Sequence, residues 1–143
     1  MKKEFCVTIL DKDEYLKNSC EIGLDEEWKK KSPMFDERLN EKGVYIIHMP
    51  ARIVYIGKTR GPTMDFRTRL YRHATKAASS NSTVYQTLKV AKEKGEQIFV
   101  ALLPIDRIRR LYRGKDLTNE MIVDTYEQVL IHALKPEIQD ENR

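Results

Sequence analysis

Two short runs of strand-forming residues, Val44-Tyr45-Ile46-Ile47 and Ile53-Val54-Tyr55-Ile56, flank a tight connection at Pro50-Ala51. The pattern predicts a β-hairpin between Gly43 and Gly57, with Pro50 where no ladder N–H is needed. A register centred on Pro50 sets Tyr45 opposite Tyr55 on one face. Downstream the period changes. Phe66, Leu70 and Ala77 form a helical stripe over 64–78, with Thr63 or Asp65 as the cap. Val84, Leu88 and Ala91 predict a second helix over 83–94, stopped by Gly95. The continuous apolar run Gln97–Leu103 reads as a third, buried strand ended by Pro104. A last helix is expected over 118–134, opened by Thr118 and followed by Pro136.

The first 42 residues carry a weaker pattern. Residues 4–10 suit a strand, Asp11–Glu14 a turn or helix start, and Met34–Asn40 a short helix after a break at Ser32-Pro33. The expected architecture is α/β in the α+β sense. A three-stranded, mainly antiparallel sheet is flanked by helices in a domain spanning 43–143. Residues 1–42 form an extension packed on it.

Composition narrows the class. The chain has 143 residues, 41% hydrophobic and 34% charged, which suits one soluble domain with a modest core. It holds no apolar run long enough to span a bilayer, and Met1–Phe5 is followed by no signal-peptide core, so a cytoplasmic protein is expected. Cys6 and Cys20 fit no metal-site spacing and read as free thiols. Charge is uneven: residues 1–42 hold 9 Lys/Arg against 11 Asp/Glu, and residues 43–143 hold 17 against 11. The basic excess lies with the hairpin, which hints at an anionic partner such as nucleic acid.

The candidate chemistry lies on the helices. Arg69 and His73 are four apart and share a face beside the packed stripe. Glu127 has Val123, Leu130, Ile131 and Leu134 as its helical neighbours, so it falls on a buried face and needs a compensating partner, either an arginine or a metal ion. Arg107, Arg109, Arg110 and Arg113 form a basic cluster around Tyr112; phosphate contact and a solvated amphipathic turn are both open readings. Carboxylates between Gly43 and Lys115 are only Asp65, Glu93, Glu96 and Asp106, without an Asp-x-Asp pattern. Such scattered carboxylates do not supply the clustered ligands that a two-metal site needs.

In order along the chain stand Gly43-Val44-Tyr45, Tyr55-Ile56-Gly57, Phe66 with Arg69 and His73, and Glu127 with Pro136 nine residues on. This constellation resembles the GIY-YIG nuclease superfamily from residue 43 to the C-terminus. Gln139 stands where the family carries an asparagine, with Asn142 three further on. The resemblance implies a GIY-YIG-type catalytic domain and a metal-dependent DNA endonuclease, compact and standalone or restriction-like. Arg69 would stabilise the pentacoordinate phosphate, and Tyr55 or Tyr45 would help deprotonate the attacking water, with Lys58 as a nearby cation. His73 would bind phosphate or aid proton transfer, and Glu127 would hold one Mg²⁺ or Mn²⁺. Arg60, Arg67 and the Arg107–Arg113 cluster are the expected DNA contacts. No small-molecule cofactor is expected, and dimerisation is one open source of specificity. The alternative is a non-catalytic nucleic-acid-binding module on the same fold.

Overall fold

The computed structural model describes residues 6–28, 37–59, 61, 63–76, 82–114 and 117–138. Arg60, Lys29–Lys31, the Ser32-Pro33 break, the Ser79–Asn81 loop, Gln139 and Asn142 lie outside the described residues. In chain order the elements are β1 (Cys6–Val7), α1 (Lys12–Leu16), β2 (Cys20–Glu21), two 3-10 turns at Asp25–Glu27 and Glu37–Asn40, β3 (Gly43–Met49), β4 (Arg52–Lys58), α2 (Phe66–Ala74), α3 (Thr83–Glu93), β5 (Phe99–Pro104), α4 (Ile105–Arg110), β6 (Tyr112–Arg113) and α5 (Asn119–Leu134). The fold is mixed α+β with antiparallel sheets. No helix among the described residues is long and apolar enough to cross a membrane.

The main sheet has four strands rather than the expected three, in the order β2-β5-β3-β4. The added edge strand is β2, a two-residue segment from the N-terminal stretch, too short to show a periodicity of its own. β1 pairs instead with β6 in a separate two-stranded ribbon; among the described residues of the expected 4–10 strand, Cys6 and Val7 are its ladder residues. Every residue of the central strand β3 is buried, His48 included; the apolar run Val44–Ile47 anticipates this for most of the strand.

Helices cover both faces of this sheet. On one face Tyr45, Ile47, Met49, Val54 and Tyr55 pack against Phe66, Leu70 and Ala74 of α2 and Val84, Leu88 and Ala91 of α3. On the other Val44, Ile46, Ile56, Ala101 and Leu103 pack against Ile108 of α4 and Ile122, Val123, Tyr126 and Leu130 of α5. Burying each such large apolar side chain is worth roughly 1.5–3 kcal/mol.

The helix starts follow the caps that the sequence offers. Asp65 accepts from the Thr68 N–H, Ser82 from Tyr85 and Thr118 from Met121. α2 ends at Ala74, earlier than the apolar stripe suggests, because Thr75 turns extended while its hydroxyl bonds the Tyr71 carbonyl. α5 ends at Lys135 in the left-handed conformation, and Pro136 follows. Glu137 and Ile138 then donate backbone N–H groups to Ile53 and Val54, covering the outer edge of β4.

Candidate active site

The hairpin register differs from the one expected. A two-residue turn at Pro50-Ala51 makes Met49 and Arg52 partners, and Val54 then has no partner, so the register slips once more between Ile47 and His48. Tyr45 therefore lies across from Gly57, and Tyr55 across from Ile47. The two phenols still share a face as diagonal neighbours, with ring centroids 6.2 Å apart.

This register explains the glycines. The Tyr45 ring lies across β4 where Gly57 has no side chain; a Cβ there would overlap the Tyr45 hydroxyl and ring carbon and come within 2.8 Å of Tyr55 Cε2. At Gly43 a Cβ would overlap the Leu103 carbonyl of β5. Gly43 and Thr59 lock the end of the hairpin: Thr59 N–H donates to the Gly43 carbonyl at 3.0 Å, and Gly43 N–H donates to Thr59 Oγ1 at 2.9 Å.

Four of the expected residues meet in one cluster. Tyr45 is wholly buried, and its hydroxyl lies 2.8 Å from His73 Nε2 and accepts from Arg69 Nε at 3.3 Å. Arg69 also interacts electrostatically with Tyr55. Phe66 meets Tyr45 edge-on at 6.4 Å, and Tyr55 meets His73 at 5.2 Å. The helical spacing of Phe66, Arg69 and His73 on α2 delivers all three to the tyrosine face of the sheet.

Electrostatics constrain what each group can do. Burial, with Tyr55 beside it, pushes the Tyr45 phenol well above its ordinary pKa, and Glu127 acts in the same direction. The neighbouring Arg69 opposes this shift without reversing it. Burial opposes the Arg69 charge as well, yet the two phenols hold it above its usual range, so Arg69 stays cationic. Burial and then the Arg69 charge push His73 down to about 3, leaving it neutral. Arg69 can only donate, so the Tyr45 oxygen accepts from it.

A pH effect on stability follows. His73 titrates at about 3 in the fold and near 6.5 when unfolded. Between those values the unfolded chain binds a proton that the folded chain refuses. Stability is complete above about pH 6.5 and falls on acidification by about 1.4 kcal/mol per pH unit. His48, also lowered by burial, adds to the slope. Denaturant titrations between about pH 7 and 4.5 should show His73→Gln with a shallower loss than wild type; an unchanged slope would contradict the assignment.

A second cluster forms on the α5 side. Glu127 is 1% exposed, and Lys58 at the end of β4 stands beside it as a cationic partner. Lys58 Nζ lies 3.6 Å from Glu127 Oε1 and 2.9 Å from Asp124 Oδ1. Gln128 Nε2 donates to the same Glu127 oxygen at 3.2 Å. Sequence reasoning misses Asp124, although it sits three residues before Glu127 on the same helix face. Asp124 also lines a cleft of about 240 Å³ with Lys42, Thr59, Gly61, Asn119 and Val123.

The two clusters flank the end of β4, where Gly57 faces the tyrosines and Lys58 faces α5. The Glu127 charge disfavours ionisation of Tyr45. Among the described residues no three His, Cys, Asp or Glu side chains gather in a metal-binding group. The donor chemistry still suits one hard cation, because a buried carboxylate with a second carboxylate one helical turn away offers only oxygen ligands, and Lys58 shows that the pair attracts positive charge.

The described arginines do not form one patch. Arg67 bonds Asn40 from α2, while α4 packs on the opposite face of the sheet. Arg107 donates to the Glu14 carbonyl, Arg109 to Leu117 and Asn119, and Arg110 to the Asp106 carbonyl. Two of these arginines, Arg107 and Arg109, brace α4 against α1 and the start of α5, a structural task that sequence does not reveal. Arg109, Arg110 and Arg113 remain exposed.

No family model, curated protein or solved structure gives a significant match to this chain.

Proposed function

We propose that the chain is a metal-dependent DNA endonuclease of the GIY-YIG kind, hydrolysing phosphodiester bonds with one cation per site. The observation that carries this reading is the convergence of Tyr45, Tyr55, Arg69 and His73 on one face of a rigid hairpin. A plain packing role for that face needs none of its cation, imidazole or hydroxyls.

Arg69 is the charge stabiliser. It is held cationic and aimed by two phenols, so little reorganisation is needed when negative charge develops on a phosphate. Tyr45 is assigned to orientation rather than to proton abstraction, because burial works against its phenolate. By the resemblance, proton abstraction from water is left to Tyr55, which interacts with Arg69 and is itself only 2% exposed. Neutral His73 fixes the Tyr45 hydroxyl. Glu127, with Asp124 beside it, would hold Mg²⁺ or Mn²⁺, which supplies Lewis-acid stabilisation of the phosphate and leaving oxygen when bound. Arg109, Arg110 and Arg113 are the exposed candidates for backbone contact with DNA.

The test compares cutting with binding. Plasmid and single-stranded DNA are incubated with Mg²⁺, Mn²⁺ or a chelator, and binding is measured in parallel. Cleavage that requires the metal is the expected result. Binding without cleavage under any metal would replace this reading with the non-catalytic module.

A further inference from the structure

Lys58 is shared between two carboxylates of unequal depth. Glu127 is 1% exposed at the side chain, Lys58 23% and Asp124 35%. By side-chain exposure the order is Asp124, Lys58, Glu127, and Asp124 also lines the neighbouring cleft. The ammonium stands nearer to Asp124, at 2.9 Å, than to Glu127, at 3.6 Å. Its contact on Glu127 is with Oε1, so a cation that takes this oxygen displaces or crowds it.

We infer that Asp124 is a positioning residue: it draws the Lys58 ammonium off Glu127 and holds it when a divalent cation takes the buried carboxylate. The exchange then needs only a short swing of one flexible side chain between two partners one helical turn apart. Without Asp124, Lys58 rests wholly on Glu127 and competes with the cation. This rests on the nuclease reading only for the cation expected at Glu127. Asp124 acts through Lys58, which separates it from a metal ligand.

The test is Mn²⁺ binding to the purified full chain without DNA, followed by the electron paramagnetic resonance signal of free Mn²⁺. Asp124→Asn should weaken binding about tenfold and Lys58→Met should tighten it about tenfold, the range in which outer-shell partners act. Lys58→Gln, which keeps a donor for Glu127, serves if Lys58→Met does not fold. In a background without Lys58, adding Asp124→Asn should change affinity by less than about twofold. An equal weakening in that background would make Asp124 a ligand and overturn the inference. So would unchanged affinity on removing Lys58, or no Mn²⁺ binding by any variant. Cleavage is scored separately: competition that holds without DNA cutting sinks the nuclease reading and leaves the role of Asp124 standing.

Discussion

Gly57→Ala should lower the melting temperature by about 10 °C and remove the candidate activity in one step. The added methyl overlaps the Tyr45 hydroxyl and ring carbon and crowds Tyr55. Tyr45 is wholly buried between Phe66, Tyr55 and His73, so its ring has little room to retreat. Either the strands part or the ring leaves, and both routes break its contacts with Arg69 and His73. Overpacking of this kind costs about 1–3 kcal/mol, and stranded buried polar groups add to it. Thermal melting of the variant beside Gly61→Ala gives a check. A methyl added at Gly61 meets no atom within 4 Å, but the residue sits at a φ of +90°, so its alanine variant reports backbone strain alone. A Gly57 variant no less stable than the Gly61 variant would contradict the close packing of Tyr45 on β4.

What can be read from the chain is mostly local. The apolar runs of β3, β4 and β5, the helix caps at Asp65, Ser82 and Thr118, and the breaks at Gly95 and Pro136 all act through neighbours in sequence. The hairpin register escapes such a reading because the unpaired Val54 is a tertiary choice. It lets Val54 and Tyr55 both join the α2 and α3 face, and an alternating pattern does not announce it. β1 and β2 are two residues each and depend wholly on distant partners.

The site divides along the same line. Arg69 and His73 are visible through helical spacing, and Glu127 through its apolar neighbours. The Lys58 partner of Glu127 is 69 positions away in sequence and lies beyond any local pattern. Asp124 is within reach of one: a carboxylate three residues before a buried one shares its helix face. The Arg107–Arg113 cluster shows the opposite limit, since its composition is visible but its braces to Glu14, Leu117 and Asn119 are not.

Glu127→Gln is the second large effect. The glutamine keeps the shape of the side chain and its hydrogen-bonding to Gln128, while Lys58 keeps Asp124 as a charged partner. Stability should therefore change little. Chemistry should suffer heavily, because the deepest carboxylate near the phenol cluster loses its charge. Loss of one such preorganised electrostatic group costs about 10²–10³ in rate. The measurement is single-turnover nicking of supercoiled plasmid in Mg²⁺ by wild type and Glu127→Gln, with melting curves to show equal folding. Metal-dependent nicking by wild type, slowed at least about 100-fold in the variant at unchanged melting temperature, is the predicted result. Nicking at equal rates by both proteins, or nicking that persists under chelation, would contradict it.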